Sequence, residues 1–276
     1  MVSRLVGVLV TFTALVAGVA TYAVIVEPNL LILSTVVEVR VNGLPECFNG
    51  FRIAHVTDPH FGIWHLPVRD SRVLEIVKGF KPDIIVITGD LISNPGGVGD
   101  ALNFVRELAR VAPTYVVLGN WDYWSGVSVG SFVEELRASG ARVLVNSYEV
   151  VGSACGSIYV VGVDDPHTQR DDVSKALEGV PEGAIKVVLA HSPEVIGEVA
   201  GKADVVLVGH THGGQVVIPV LGPIYIPLPE EFRKYVWGSF TVNGTFMYVC
   251  RGVGTSLYPV RFMAPPEVAL VVLIRA

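Results

Sequence analysis

The sequence predicts an α/β protein, with two sheets stacked face to face and helices on their outer sides, preceded by one membrane-spanning helix. Three observations predict it. Short Val/Ile/Leu runs alternate with helical patterns, the mark of βαβ units. Two stretches, Arg142 to Val163 and Gln215 to the C-terminus, read as successive strands without helices. No charged residue occurs from Leu5 to Val26.

That first apolar run crosses the ~30 Å hydrocarbon layer at ~1.5 Å rise per residue. A cleaved signal peptide is the competing reading, because Ala17, Ala20 and Ala23 offer small residues for a cleavage site. The run is longer than the ~7–15 residues of a signal core, which favours a retained anchor. Arg4 precedes the run and Glu27 follows it, so the positive-inside rule orients the N-terminus inward. The expected product is a single-pass protein of the cell membrane with its main domain outside the cytoplasm. Residues 1–27 form the anchor, 28–50 a connecting segment with a β-branched strand at Ser34–Val41, and 51–276 the main domain.

In that domain the strand candidates are Arg52–Thr57, Asp83–Thr88, Thr114–Leu118, Ile185–Ala190 and Asp204–Val208. Near-continuous apolar strands imply burial on both faces. Between them, Ser71–Lys78 reads as a helix closing at Gly79, and Asp100–Arg110 sets Ala101, Phe104, Val105 and Leu108 on one face. Ser131–Ala138 closes at Gly140, and a fourth helix follows Pro193.

Composition narrows the function. Hydrophobic residues make up 51% and charged residues 17%, which excludes a disordered chain. A net charge of −6 with scattered Lys and Arg gives no footprint for nucleic acid, and no feature indicates a protein partner. Cys47, Cys155 and Cys250 are far apart and odd in number, so buried free thiols are expected, with one disulfide admissible in an oxidising compartment.

Five apolar runs end in groups able to bind a metal: Asp58 and His60, Asp90, Asn120, His191, then His210 and His212. Singly each has a plain explanation as a turn or cap residue. Together they do not, because four of the seven histidines fall at strand ends and ligands gather beyond the carboxyl ends of strands in open α/β sheets. Residues two apart on a strand share a face, so Asp58/His60 and His210/His212 are each expected to present two ligands to one place. Carboxylate, imidazole and amide ligands without sulfur suit Mn, Fe or Zn. Seven ligands suit two ions sharing a bridging carboxylate, which activate water to hydroxide and clamp a phosphoryl group.

Asp58-Pro-His60, Gly89-Asp90, Gly119-Asn120, His191 and Gly209-His-Thr-His212 resemble, in order and spacing, the calcineurin-like metallophosphoesterases from about Phe51 onward. Gly162-Val-Asp-Asp-Pro166, Gly213-Gly-Gln215, Gly222-Pro-Ile-Tyr225, Arg251-Gly-Val-Gly-Thr255 and Pro265-Pro-Glu267 look like the membrane-anchored phosphodiesterase branch that includes UDP-2,3-diacylglucosamine pyrophosphatases. The resemblance implies a four-layer α/β/β/α sandwich and hydrolysis of phosphodiester or pyrophosphate bonds on a lipid-linked or nucleotide-linked substrate. It implies one metal on Asp58, His60, Asp90 and His212, and a second on Asp90, Asn120, His191 and His210, with Asp90 bridging.

One position departs from the family, which usually has His after the Gly-Asn pair to protonate the leaving oxygen. Trp121 stands there, and an indole is no acid at neutral pH. The loss admits an alternative reading as a metal-binding but catalytically weak membrane-anchored scaffold. Otherwise the chain prefers pyrophosphate or activated diester bonds, or another histidine replaces the acid: His167 first, His65 second, His55 being structural. Arg251 is the candidate for a phosphate contact, with an ordinary salt bridge or a solvated loop arginine as the alternatives. Pro219–Trp237 either lines an acyl pocket, touches the bilayer or, the expected reading, packs on the core.

Overall fold

The computed structural model describes residues 2–276. Its first element is a helical run: α1 (Val2–Thr21), a π turn (Tyr22–Val26) and α2 (Glu27–Leu30). Residues 4–21 of this run are exposed, and only its last turns dock, with Ala23, Glu27, Pro28 and Asn29 buried against the domain. One helix, Arg4–Leu30, is thus long and apolar enough to cross a membrane.

β1 (Leu33–Val41) follows, and then β2 (Phe51–Val56), α3 (Pro67–Phe80), β3 (Ile84–Thr88), α4 (Val98–Ala109) and β4 (Thr114–Val117). Next come α5 (Asn120–Trp124), α6 (Val129–Ala138), β5 (Ala141–Val143), β6 (Ser147–Ser153), β7 (Gly156–Gly162) and α7 (Val173–Ala176). The remainder is β8 (Ile185–Leu189), α8 (Ile196–Val199), β9 (Val205–Val208), β10 (Val217–Ile218), β11 (Gly222–Pro223), β12 (Gly238–Val242), β13 (Thr245–Val249) and β14 (Glu267–Arg275). One sheet runs β1-β14-β2-β3-β4-β5 and the other β12-β13-β9-β8-β7-β6, while β10 and β11 form a separate hairpin. β1 is parallel to β14 over its whole length, so the segment before residue 51 supplies an edge strand of the first sheet.

Strand alternation sorts the core into three layers of packing. Ile84 and Val86 of β3 point between the sheets, where they join Tyr115, Val117, Val187 and Leu207. Ile85 and Ile87 point outward beneath α3, α4 and α6. On the second sheet Val161, Val188 and Val206 pack with residues of α7 and α8. This is the four-layer α/β/β/α sandwich, and burial on both faces explains why these strands read as unbroken apolar runs.

Several local expectations change. α3 starts at Pro67, whose fixed φ suits a first helical position, and passes through Gly79 to end at a left-handed Lys81. The helix after Pro193 is reduced to α8, behind a 3₁₀ turn over Pro193–Val195. Cys47 and Cys155 are not free thiols but a disulfide. The turn between β6 and β7 abuts the loop after β1, leaving no room for a side chain at Gly156 beside Pro45, and this contact brings the two sulfurs together. Cys250 is buried and unpaired among the described residues. In the segment Pro219–Trp237, Leu228 and Tyr235 do pack inward, whereas Val220 and Leu221 are fully exposed.

Candidate metal centre

β2, β3 and β4 are mutually parallel, as are β8 and β9, so their carboxyl ends open to the same end of the sandwich. All seven predicted ligands lie just beyond these ends and are buried. The reason for their convergence differs from the strand-face argument. Asp58, His60, Asp90, His210 and His212 all sit past their strands in left-handed backbone, with φ between 49° and 72°. Non-glycine residues enter that region at a cost, and such conformations persist where the surrounding structure imposes them, as at functional sites.

The neighbouring glycines are required by contact. A Cβ at Gly119 would collide with Asp90 Oδ1, and one at Gly209 with Asp58 Oδ2. Neither position accommodates a side chain without displacing a carboxylate.

The ligands fall into two groups, Asp58/His60/His212 and Asp90/His191/His210. In the first, His212 Nε2 is 3.3 Å from Asp58 Oδ1 and 3.1 Å from His60 Nε2. In the second, His191 Nε2 is 3.2 Å from Asp90 Oδ2 and 3.0 Å from His210 Nδ1. Asp90 Oδ2 also lies 3.4 Å from His60 Nε2, so one carboxylate faces both groups.

Hydrogen bonding on the far sides of the rings tests whether cations fit. His191 donates from Nδ1 to the Thr88 carbonyl at 2.8 Å, and His210 donates from Nε2 to the Pro227 carbonyl at 2.8 Å. Carbonyls only accept, so in the neutral rings the two facing nitrogens are both bare lone pairs. A cation or a proton must stand between them. Asp58 Oδ1, in the first group, and Asn120 Oδ1 are buried without hydrogen-bond partners among the described residues. Unsatisfied buried oxygens of this kind need an explanation, and a cation supplies it. These two clusters support a binuclear metal centre.

Electrostatics points the same way. Burial pushes His60 down to about 4, His210 down to about 3 and His212 well below the usual imidazole range, so each ring is neutral and carries one lone pair. Burial alone would raise Asp90, but His191, His60 and His210 around it bring the carboxyl down to about 2. Burial opposes the charge on His191, yet Asp90 and Asp58 hold its pKa well above the ordinary value.

The supporting contacts include residues that sequence reasoning missed. Arg261 is fully buried, lies 3.2 Å from His212 Nδ1 and donates to the carbonyls of Arg251, Gly252 and Gly254. It is the single charged residue between Gly252 and Pro266, and that isolation was the available signal. Ser93 Oγ is 2.8 Å from His60 Nδ1. Asp122 accepts the N–H groups of Gly119 and Ile92 and so fixes two strand-end loops.

Above the ligands opens a cavity of about 600 Å³. Asp90, Asn120, His210 and His212 reach it, and Trp121, Trp124, Ile224, Tyr225, Leu257 and Tyr258 are among its walls. Trp121 donates its backbone N–H to Asp90 Oδ1 at 2.8 Å. His167 lines the cavity with its ring 4.6 Å from that of His210 and its Nδ1 3.1 Å from Glu194 Oε2. His65 is instead paired with Asp70 at 2.9 Å, and His55 is buried in β2 against Thr88. Arg251 lies over the Trp237 ring at 3.9 Å and is not among the residues lining the cavity.

Comparison with known proteins bears on this geometry. The calcineurin-like phosphoesterase family profile matches residues 51–214. The uncharacterized metallophosphoesterase YkuE of Bacillus subtilis is 30% identical over 94% of this chain and 93% of its own length. The phosphodiesterase YaeI of Escherichia coli is 31% identical over 81% of this chain and 82% of its own. Among solved structures, TT1561 of Thermus thermophilus has the same fold at a TM-score of 0.51 and 15% identity, covering 74% of this chain and 91% of that one. The strand-end ligand set, the sandwich that carries it and these relationships agree that the chain belongs to the calcineurin-like phosphoesterase family and is a hydrolytic phosphoesterase.

Proposed function

We propose that this chain hydrolyses phosphodiester or pyrophosphate bonds of a lipid-linked or nucleotide-linked substrate at a two-metal centre, held at the cell membrane by residues 5–26. One observation carries the reading: two buried ligand groups meet at a shared carboxylate on the floor of an apolar-walled cavity. The apolar walls suit an acyl chain or a stacked base, and the name of the Escherichia coli relative favours the diester.

Asp58, His60, Asp90 and His212 would hold one ion, and Asp90, Asn120, His191 and His210 the other. Manganese, iron or zinc would suit these donors alike. When bound, such ions neutralise phosphoryl oxygens and make a hydroxide nucleophile available near neutral pH. Asp90 keeps the two groups in register, since it faces both. Asn120 contributes a neutral oxygen that orients without adding charge. His167 carries the proton that the leaving oxygen needs, the part Trp121 cannot play, and Glu194 orients its ring. Arg251 would reach substrate only by leaving the Trp237 face. The domain division, an anchor over 1–27 and a catalytic domain over 51–276, goes with this reading.

An extracytoplasmic domain is supported by Arg4 ahead of the span and by the Cys47–Cys155 disulfide, since disulfides persist in oxidising compartments. The test is an assay of the purified chain with Mn²⁺ against bis-p-nitrophenyl phosphate and a nucleotide pyrophosphate. Metal-dependent release of nitrophenol or nucleotide, abolished by chelation, is the expected result. No hydrolysis of either would remove the diester and pyrophosphate reading.

A further inference from the structure

Three elements meet at Phe262. The Tyr22 ring, at the end of the N-terminal helix, stands edge-on to it with centroids 6.1 Å apart. Val217 of the β10–β11 hairpin donates to the Phe262 carbonyl, and Phe262 donates to Gln215. The helix itself is clamped to this junction. Arg261 donates its N–H to the Ala23 carbonyl at 2.9 Å, and the Glu27 carboxylate accepts the N–H groups of Met263 and Ala264 at 2.8 and 2.6 Å.

Around the junction the surface is apolar. Val220, Leu221, Ile224, Tyr225, Leu257 and Tyr258 are each more than 60% exposed. No charged residue occurs from Val216 to Pro229 or from Gly252 to Val260. A contiguous exposed patch of this kind marks a membrane or protein contact.

Depth decides between these occupants. A helix needs about twenty residues to rise ~30 Å, and counted from Leu5 that length ends within the turn Tyr22–Val26. The clamp therefore fixes the rim at the level where the helix leaves the hydrocarbon. Tyrosines concentrate at that level of a bilayer, as Tyr225 and Tyr258 would.

We propose that the tip of the β10–β11 hairpin and the segment Leu257–Met263 form a second membrane contact, seated in the bilayer surface from which the helix emerges. Ile224, Tyr225, Leu257 and Tyr258 belong to both rim and cavity, so the cavity opens at the level of the lipid. The inference rests on the anchor reading above and is independent of the hydrolytic chemistry.

The experiment uses the full chain in vesicles of phosphatidylcholine and phosphatidylglycerol. Val10→Cys, Leu221→Cys and Val150→Cys are each labelled with an environment-sensitive fluorophore, the native cysteines being paired or buried. Quenching by doxyl-labelled lipid at positions 10 and 221, with quenching by aqueous iodide alone at 150, is the expected result. Iodide quenching at 221 overturns the proposal, and so does shielding from both quenchers, which would mean that a protein covers the rim. If position 10 also escapes the lipid quencher, the anchor itself fails, and the proposal with it. Failure at 221 alone leaves the anchor standing, and unchanged turnover of bis-p-nitrophenyl phosphate by Leu221→Cys leaves the hydrolytic reading standing.

Discussion

A carboxylate that faces two ligand groups has a different mutational signature from one that merely packs. Asp90→Asn keeps the shape and removes the charge that lies 3.2 Å from His191 and 3.4 Å from His60. Bound metal, measured by plasma mass spectrometry, should fall from two ions per chain to one or none, and turnover of bis-p-nitrophenyl phosphate should fall by more than about 100-fold, since even groups outside the ligand set cost 10–100-fold. Full metal content with full activity would end the binuclear assignment. His167 poses a separate question, because it reaches the cavity where Trp121 cannot serve. A positioned acid contributes about 10²–10⁴-fold, mostly to poor leaving groups. Over diesters of rising leaving-group pKa, His167→Ala should therefore decline steeply where the wild type stays nearly flat. Parallel profiles would show that His167 carries no proton to the leaving oxygen.

At the scale of the element, β2 holds a buried imidazole that no ligand group uses. Burial pushes His55 down to about 3 from its usual 6.5, so the folded chain excludes a proton that the unfolded chain accepts. The stability it leaves intact is complete above pH 6.5 and is lost as pH falls below that value toward the folded pKa. At pH 5 the loss is about 2 kcal/mol, or roughly 5 °C in Tm. In metal-free protein, His55→Leu should show a Tm drop between pH 7.5 and pH 5 that is smaller than the wild type's by that amount. Equal drops would mean that His55 takes up a proton in the folded state. The strands themselves were legible because burial on both faces writes itself as unbroken Val/Ile/Leu. Their continuations were not, since a left-handed Asp58 or His210 leaves no compositional trace. The strand-face argument fails for both pairs: Asp58 and His60 meet in one group through left-handed loop backbone, and His210 and His212 part into different groups. Short helices such as α5 and α7 were missed because four or five residues carry no period to detect, and Arg261 because its value lies in carbonyls gathered from distant loops.

Across the whole molecule, the Cys47–Cys155 disulfide joins the loop after β1 to the turn between β6 and β7, one from each sheet. Spacing could not reveal it, for 108 residues separate the partners and a third cysteine made the count odd. Closing a loop of about 100 residues removes about 4.7 kcal/mol of chain entropy from the unfolded state, so Cys155→Ser should lower the Tm by roughly 10 °C or more. The same bond reports topology. If the domain lies outside the cytoplasm, a membrane-impermeant maleimide added to intact cells finds no thiol, because Cys47 and Cys155 are joined and Cys250 is fully buried. Impermeant reductant should then expose two reactive thiols, and Cys47→Ser with Cys155→Ser should abolish that gain. Thiols that react only after the cells are opened, with no reduction, would show a cytoplasmic domain and a reduced pair. In that case the positive charge at Arg4 would be outweighed, and the apolar rim would face the inner leaflet.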